Sequence, residues 1–134
     1  MSYVLDTNVI AALMRGDERV VERLERVTRP MVGVPEPAWA EIASGLARMP
    51  RSKRRERLAS RFTLLRDQLG TVTWSPEVTE AFGDLKASLE AKGQRLEDFD
   101  LAIAAHALAT DAILVTADVR HVTRIPHLAV ESWG

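Results

Sequence analysis

The sequence predicts an α/β fold, a three-layer α/β/α arrangement around a central, mainly parallel sheet. Three observations lead there. Short apolar runs recur along the chain, segments with apolar residues at helical spacing separate them, and each run is continuous rather than alternating, as a strand covered on both faces must be. No internal repeat, low-complexity stretch or linker divides the chain, so all 134 residues are read as one domain.

Tyr3, Val4 and Leu5 form the first apolar run, which stops at Asp6-Thr7-Asn8. Val9, Ile10, Leu13 and Met14 then recur at helical spacing, so this segment reads as strand, turn and helix. Asp17 is placed to cap a second helix whose apolar face holds Val20, Val21, Leu24 and Val27, with Pro30 as its stop. Residues 31–34 read as a second buried strand. Pro35 and Pro37 precede a helix over residues 38–48, with Trp39, Ile42, Ala43 and Leu46 inward, Glu41 beside that stripe, and Pro50 closing it.

A strongly charged helix comes next, with Leu58, Phe62, Leu65 and Leu69 as its apolar stripe and Gly70 as its stop, followed by a third strand over residues 72–74. Ser75 and Pro76 fit the cap and first position of a helix in which Val78, Ala81, Phe82, Leu85 and Leu89 continue towards Gly93. Residues 101–109, entered near Asp98, form an alanine-rich helix that is apolar nearly all round and is therefore expected at the centre. Residues 113–116 read as the fourth strand, a short helical turn follows Asp118, and a last strand is expected near residues 128–130.

Composition narrows the function. With 46 % apolar and 28 % charged residues the chain has ordinary globular make-up. It has no cysteine, which excludes disulfides and thiolate metal sites and leaves oxygen or imidazole as metal ligands. The apolar runs are too short to cross a bilayer, and Met1 leads directly into strand-like residues without a basic leader, so no membrane association and a cytosolic, cytoplasmic location are expected. A net charge of −1 excludes a protein that coats nucleic acid by bulk electrostatics. Yet Arg48, Arg51, Lys53, Arg54, Arg55, Arg57 and Arg61 concentrate in one stretch, able either to track a phosphate backbone or to form a solvated face paired with Glu56.

Sites in open parallel sheets form beyond the carboxyl ends of the strands. Asp6 directly follows the first strand, Asp118 follows the fourth, Asp100 opens the central helix, and Glu41 lies one turn into the helix after the second strand. Each has a plainer role when taken alone: a cap, a solvated acid, a favourable charge at a helix start, or a turn residue. Taken together they form a constellation able to meet at one edge. Clustered carboxylates repel one another unless protons or cations intervene, and an oxygen-only donor set suits Mg²⁺ or Mn²⁺. An ion so held can activate water against a phosphodiester.

Other chemistry is poorly supported. His106, His121 and His127 lack paired ligand spacing, and His106 is expected to pack within the central helix. No glycine-rich phosphate loop and no nucleophile elbow is present. Trp39, Trp74 and Trp133 are scattered and read as core or interface residues.

At these positions the chain resembles a PIN domain of the VapC type, the ribonuclease half of a VapBC toxin–antitoxin pair. The blocks are Leu5-Asp6-Thr7-Asn8, Ala40-Glu41-Ile42 with Gly45, Asp100-Leu101-Ala102-Ile103-Ala104-Ala105, Val115-Thr116-Ala117-Asp118, and a C-terminal Val130-Glu131-Ser132-Trp133. The resemblance implies a doubly wound fold with an acidic pocket, Mg²⁺ or Mn²⁺ as cofactor, and endonucleolytic cleavage of RNA. By match to the blocks, Asp6, Glu41 and Asp100 are the central acids and Asp118 a fourth, more variable one. Thr7 or Thr116 would orient a ligand or water, Asn8 would brace the turn, and Asp98 stays outside the set. A cognate VapB-type antitoxin that covers the site or inserts a basic side chain, and a homodimer, are also implied.

The expectation is thus a metal-dependent endoribonuclease whose four acids, Asp6, Glu41, Asp100 and Asp118, bind one or two divalent ions. A phosphatase using an N-terminal Asp nucleophile would need a second Asp two positions later, where this chain has Asn8. The remaining alternative is a non-catalytic module that binds RNA or protein.

Overall fold

The structure, a computed structural model, describes residues 2–134. Its frame is a five-stranded sheet in the order β3-β2-β1-β4-β5, every neighbouring pair parallel, with β1 Tyr3–Leu5, β2 Val32–Pro35, β3 Gly70–Val72, β4 Ile113–Val115 and β5 Val130–Glu131. Six helices flank it: α1 Thr7–Arg15, α2 Glu18–Glu25, α3 Glu36–Arg48, α4 Lys53–Gln68, α5 Pro76–Ala91 and α6 Asp98–Ala109. From β1 the chain steps outward through β2 to β3, then returns to the other side of β1 for β4. The order therefore reverses between β1 and β4, and a crevice forms beyond the carboxyl ends of strands at such a reversal. The carboxyl ends of β1 and β4 carry Asp6 and Thr116.

The central strands are buried on both faces because their sequences are unbroken apolar runs; Val4, Leu5, Val34, Leu114 and Val115 have at most 1 % exposure. Trp39 of α3 is fully buried, and its indole N–H donates to Thr71 Oγ1 at 3.1 Å, so its bulk fills the core while its one polar atom is satisfied. Helix α6 is buried continuously from Leu101 to Ala107, as its all-round apolar sequence requires. At the end of α1, Gly16 takes φ +75° and its N–H closes the helix on Leu13, a left-handed cap that a side-chain-bearing residue would strain.

Helix starts follow sequence chemistry. Asp17 accepts from the N–H groups of Arg19 and Val20, Ser52 from that of Arg55 and Ser75 from that of Val78. Where boundaries differ from expectation, pairing sets the limit. The third strand covers residues 70–72 rather than 72–74 because its only neighbour, β2, runs out at Pro35, opposite Val72. Gly70 therefore begins that strand instead of merely stopping α4. Trp74 falls beyond the sheet and is 46 % exposed, so it is not a core residue, whereas Trp39 and Trp133 are. The last strand is shifted to Val130–Glu131, the residues opposite Leu114 and Val115. The second strand starts at Val32, after a 3-10 turn over Arg29–Met31 that absorbs Pro30, and α2 already ends at Glu25. Helix α3 begins two residues earlier than expected, since Pro37 in its first turn needs no N–H. Among the described residues no helix is long and apolar enough to cross a membrane.

Candidate active site

The local folding of four segments brings the acids together. Asp6 is both the residue after β1 and the N-cap of α1, accepting from the Thr7 N–H at 2.8 Å, while its own N–H bonds the Val115 carbonyl at 2.9 Å. Glu41 lies on α3, Asp100 in the first turn of α6, and Asp118 just past β4 at the head of a 3-10 turn over Val119–His121. All four line one pocket of ≈ 240 Å³, together with Thr7, Asn8, Thr116 and His121, over a floor that includes Ile103 and Leu114.

Neutral groups hold the acids in place. The Thr7 hydroxyl donates to Glu41 Oε1 at 2.6 Å, tying α1 to α3. Thr116, only 1 % exposed, donates its hydroxyl to Asp6 Oδ2 at 2.8 Å and accepts from Asn8 Nδ2 and from the Asp118 N–H, each at 3.2 Å. One proton and two lone pairs are a hydroxyl's full capacity, so Thr116 is completely used. Asn8 completes the brace by accepting the Ala117 N–H at 3.0 Å. Its carboxamide thereby fixes the backbone that carries Asp118.

Charge is less well compensated than hydrogen bonding. Among the described residues Asp6, Glu41 and Asp100 form no ion pair, and Asp118 has only Arg120 and His121 at 3.8 Å. Burial pushes the Asp6 carboxyl above its usual range, against the hydrogen bonds from Thr116 and Thr7, which lower it. Asp100 is also raised, first by burial and then by repulsion from Asp6 and Glu41. Both shifts report a pocket in which carboxylate charge is costly.

These residues suit a hard divalent cation. The donors are carboxylate oxygens backed by neutral hydroxyl and amide groups, and an ion of charge +2 would reverse the repulsion that raises Asp100. Among the described residues no three acids or histidines stand close enough to form a ready-made cage.

Of the residues singled out in the sequence, Asp6, Glu41, Asp100 and Asp118 share the pocket, and Asp98 lies outside it, paired with Lys86 at 2.9 Å. His106 is buried in α6, as its apolar surroundings indicated, with Nδ1 2.6 Å from the Ala102 carbonyl. His121, which its spacing to other histidines leaves out of the expected site, does line the pocket. The available signal was its place three residues after Asp118, one turn on. The basic run on α4 makes no ion pair to Glu56 among the described residues; Arg55 and Arg61 instead donate to the Met49 and Met14 carbonyls.

A doubly wound parallel sheet with an acid-lined pocket at its strand reversal defines the class of protein, and comparison with known proteins places it more closely. The family model described as PIN domain matches residues 3–128. Ribonuclease VapC2 of Rickettsia felis is 31 % identical over 135 residues, covering 99 % of this chain and 98 % of the relative. The solved VapBC2 complex of the same organism, bound to a promoter DNA fragment, superposes with a TM-score of 0.89 at 29 % identity, covering 100 % of both chains. VapBC-1 from nontypeable Haemophilus influenzae gives a TM-score of 0.85 at 26 % identity, over 99 % of this chain and 98 % of that one. The chain belongs to the PIN-domain family, and within it to the VapC type.

Proposed function

We propose that this chain is a metal-dependent endoribonuclease, the toxin of a VapBC-type pair, with Asp6, Glu41, Asp100 and Asp118 holding Mg²⁺ or Mn²⁺. The observation that carries the reading is a pocket lined by four acids from four chain segments, three of which have no ion-pair partner among the described residues. A divalent cation bound there supplies Lewis-acid chemistry, activating water and offsetting charge on a phosphodiester. The protein's own part is positional. Thr116 and the Thr7 N–H orient the two oxygens of Asp6, the Thr7 hydroxyl orients Glu41, and Asn8 with Thr116 sets the backbone of Asp118. Water adds to phosphorus, the bond to the 3′ oxygen breaks, and the products are a 5′-phosphate and a 3′-hydroxyl.

The proposal includes a cognate antitoxin. A groove of ≈ 250 Å³ between α1, α3 and α4 has an apolar floor that includes Met14, Ile42, Leu46 and Leu58, with Arg15 and Arg54 also on its lining, and Glu41 belongs both to this groove and to the acid pocket. An apolar segment seated there could direct a basic side chain at the acids, which charge complementarity favours. The Rickettsia felis and Haemophilus influenzae structures are themselves VapBC complexes. A homodimer and a cytosolic location complete the proposal.

The test is RNA cleavage by purified protein with and without Mg²⁺ or Mn²⁺. Asp6→Asn and Asp100→Asn are expected to abolish cleavage while leaving circular dichroism unchanged. Undiminished, metal-independent cleavage by both variants, free of contaminating nuclease, would remove the assignment. Metal-independent RNA binding without turnover by the wild type would favour the non-catalytic module.

A further inference from the structure

A second cavity, of ≈ 530 Å³, opens beside the acid pocket and shares Asp100 and His121 with it. Its wall combines Lys86 of α5, Arg95 from the connection between α5 and α6, the start of α6, and Arg124 from the segment after β4. Lys86 is committed to Asp98 at 2.9 Å. Arg95 and Arg124 are exposed, and among the described residues neither guanidinium makes an ion pair or a hydrogen bond. The cavity on the other flank of Asp100 has one cation, Arg48, which donates to Ser44 Oγ at 2.6 Å. Of the basic run of α4, Lys53, Arg57 and Arg61 line a depression that shares no residue with the acid pocket, while Arg54 lines the groove on the far side of Glu41.

A cluster of carboxylates repels a polyanion, so a strand brought to it needs fixed positive charge close by. Unpaired guanidinium groups match phosphate oxygens in both charge and geometry. We propose that Arg95 and Arg124 hold backbone phosphates of single-stranded RNA adjacent to the scissile one, and that the strand leaves the acid pocket along this groove. The inference rests on the nuclease reading and extends it by naming the side chains that carry the strand.

The experiment measures binding of a fluorescein-labelled single-stranded RNA at several salt concentrations, and cleavage of the same RNA with Mg²⁺ or Mn²⁺. It compares wild type, Arg95→Gln/Arg124→Gln, Arg95→Lys/Arg124→Lys, and a control Lys53→Gln/Arg57→Gln. The glutamine pair is expected to weaken binding about tenfold and to reduce the slope of log affinity against log salt by about 1.4, two phosphate contacts at roughly 0.7 each. Its KM should rise with kcat nearly kept, the lysine pair should recover most of the salt slope, and the control should match wild type. A glutamine pair that binds with wild-type affinity and slope overturns the proposal, as does a wild type with no affinity for the RNA. A wild type that binds and does not cut removes the nuclease reading, while the binding comparison still decides the path of the strand.

Discussion

The hydroxyl of Thr116 donates to Asp6 Oδ2 at 2.8 Å, joining two residues 110 positions apart in sequence at the ends of adjacent strands β4 and β1. The same oxygen accepts from Asn8 and from the Asp118 N–H, so one buried hydroxyl holds two of the four acids in register. Thr116→Val keeps the shape and leaves three polar groups without that partner. A stability loss of about 1–3 kcal/mol is expected, with divalent-ion affinity lowered about 10–100-fold. Thr116→Ser should restore most of both. Denaturant unfolding and metal titration of the two variants check this; a valine variant indistinguishable from wild type would show that the hydroxyl is dispensable.

Thr7 bears the same relation to Glu41, through a 2.6 Å hydrogen bond between α1 and α3. Thr7→Val should reduce cleavage about 10–100-fold, as loss of a ligand-orienting partner does, with the Thr7→Ser variant close to wild type. Kinetics over a range of metal concentrations separates weakened ion binding from a lower maximal rate.

The raised carboxyl of Asp100 has a consequence for stability. A folded-state pKa above the unfolded one means that the native state binds more protons between the two values, so stability falls as pH rises through that window and the cost is fully present above it. Asp100→Asn removes the charge. In the absence of divalent ions the variant is expected to melt a few degrees higher than wild type at neutral pH, and to lose the further rise that Mg²⁺ or Mn²⁺ gives the wild type. Equal melting temperatures at acid pH, where wild-type Asp100 is protonated, complete the pattern for scanning calorimetry.

His106 works in the opposite sense. Its ring is buried, Nδ1 faces the Ala102 carbonyl at 2.6 Å, Nε2 has no partner among the described residues, and Trp74 meets it edge-on at 5.3 Å. Burial lowers its pKa. A depressed histidine is neutral in the fold, so the stability this gives is present above the unfolded value of about 6.5 and is lost as pH falls from there towards the folded value. His106→Leu, which removes an unpartnered buried nitrogen at similar volume, should flatten the acid limb of a stability–pH curve. An unchanged limb would place acid sensitivity elsewhere.

Gly45 lies in the apolar groove of α3, and a Cβ built there meets nothing within 4 Å. Gly45→Leu should therefore fold, with helix propensity improved by up to about 1 kcal/mol, and fill the groove. RNA cleavage should persist, while inhibition by an antitoxin seated in the groove weakens on the order of tenfold or more through steric exclusion. Inhibition titrations against the cognate antitoxin distinguish this from an antitoxin bound elsewhere.

Much of this was legible from local pattern. Unbroken apolar runs separated by helical periodicity gave the parallel sheet, and the acids stood out because Asp6 follows β1, Asp118 follows β4 and Asp100 opens an otherwise apolar helix. Strand ends were less legible, since Val72 ends β3 only because β2 ends at Pro35. The family resemblance points to Thr7, Thr116 and Asn8 as supporting residues, but their partners are not legible from the sequence. The Thr7–Glu41 bond depends on how α1 lies against α3, and the bonds of Thr116 to Asp6 and Asn8 depend on β1 and β4 becoming neighbours across most of the chain. His121 has no histidine at ligand spacing, and its link to the site is Asp118 one turn back. The groove arginines were likewise hidden, Arg95 and Arg124 lying in separate connections while the denser basic run on α4 drew attention.

The most direct measurement is a crystal structure of the protein grown with Mn²⁺, with anomalous differences collected at the manganese edge. A single strong peak, or two neighbouring ones, is expected between Asp6, Glu41, Asp100 and Asp118, bonded to Asp6 and Asp100 directly or through one water. A peak elsewhere on the molecule, or none in that pocket at saturating Mn²⁺, would contradict the claim that these acids share a divalent ion.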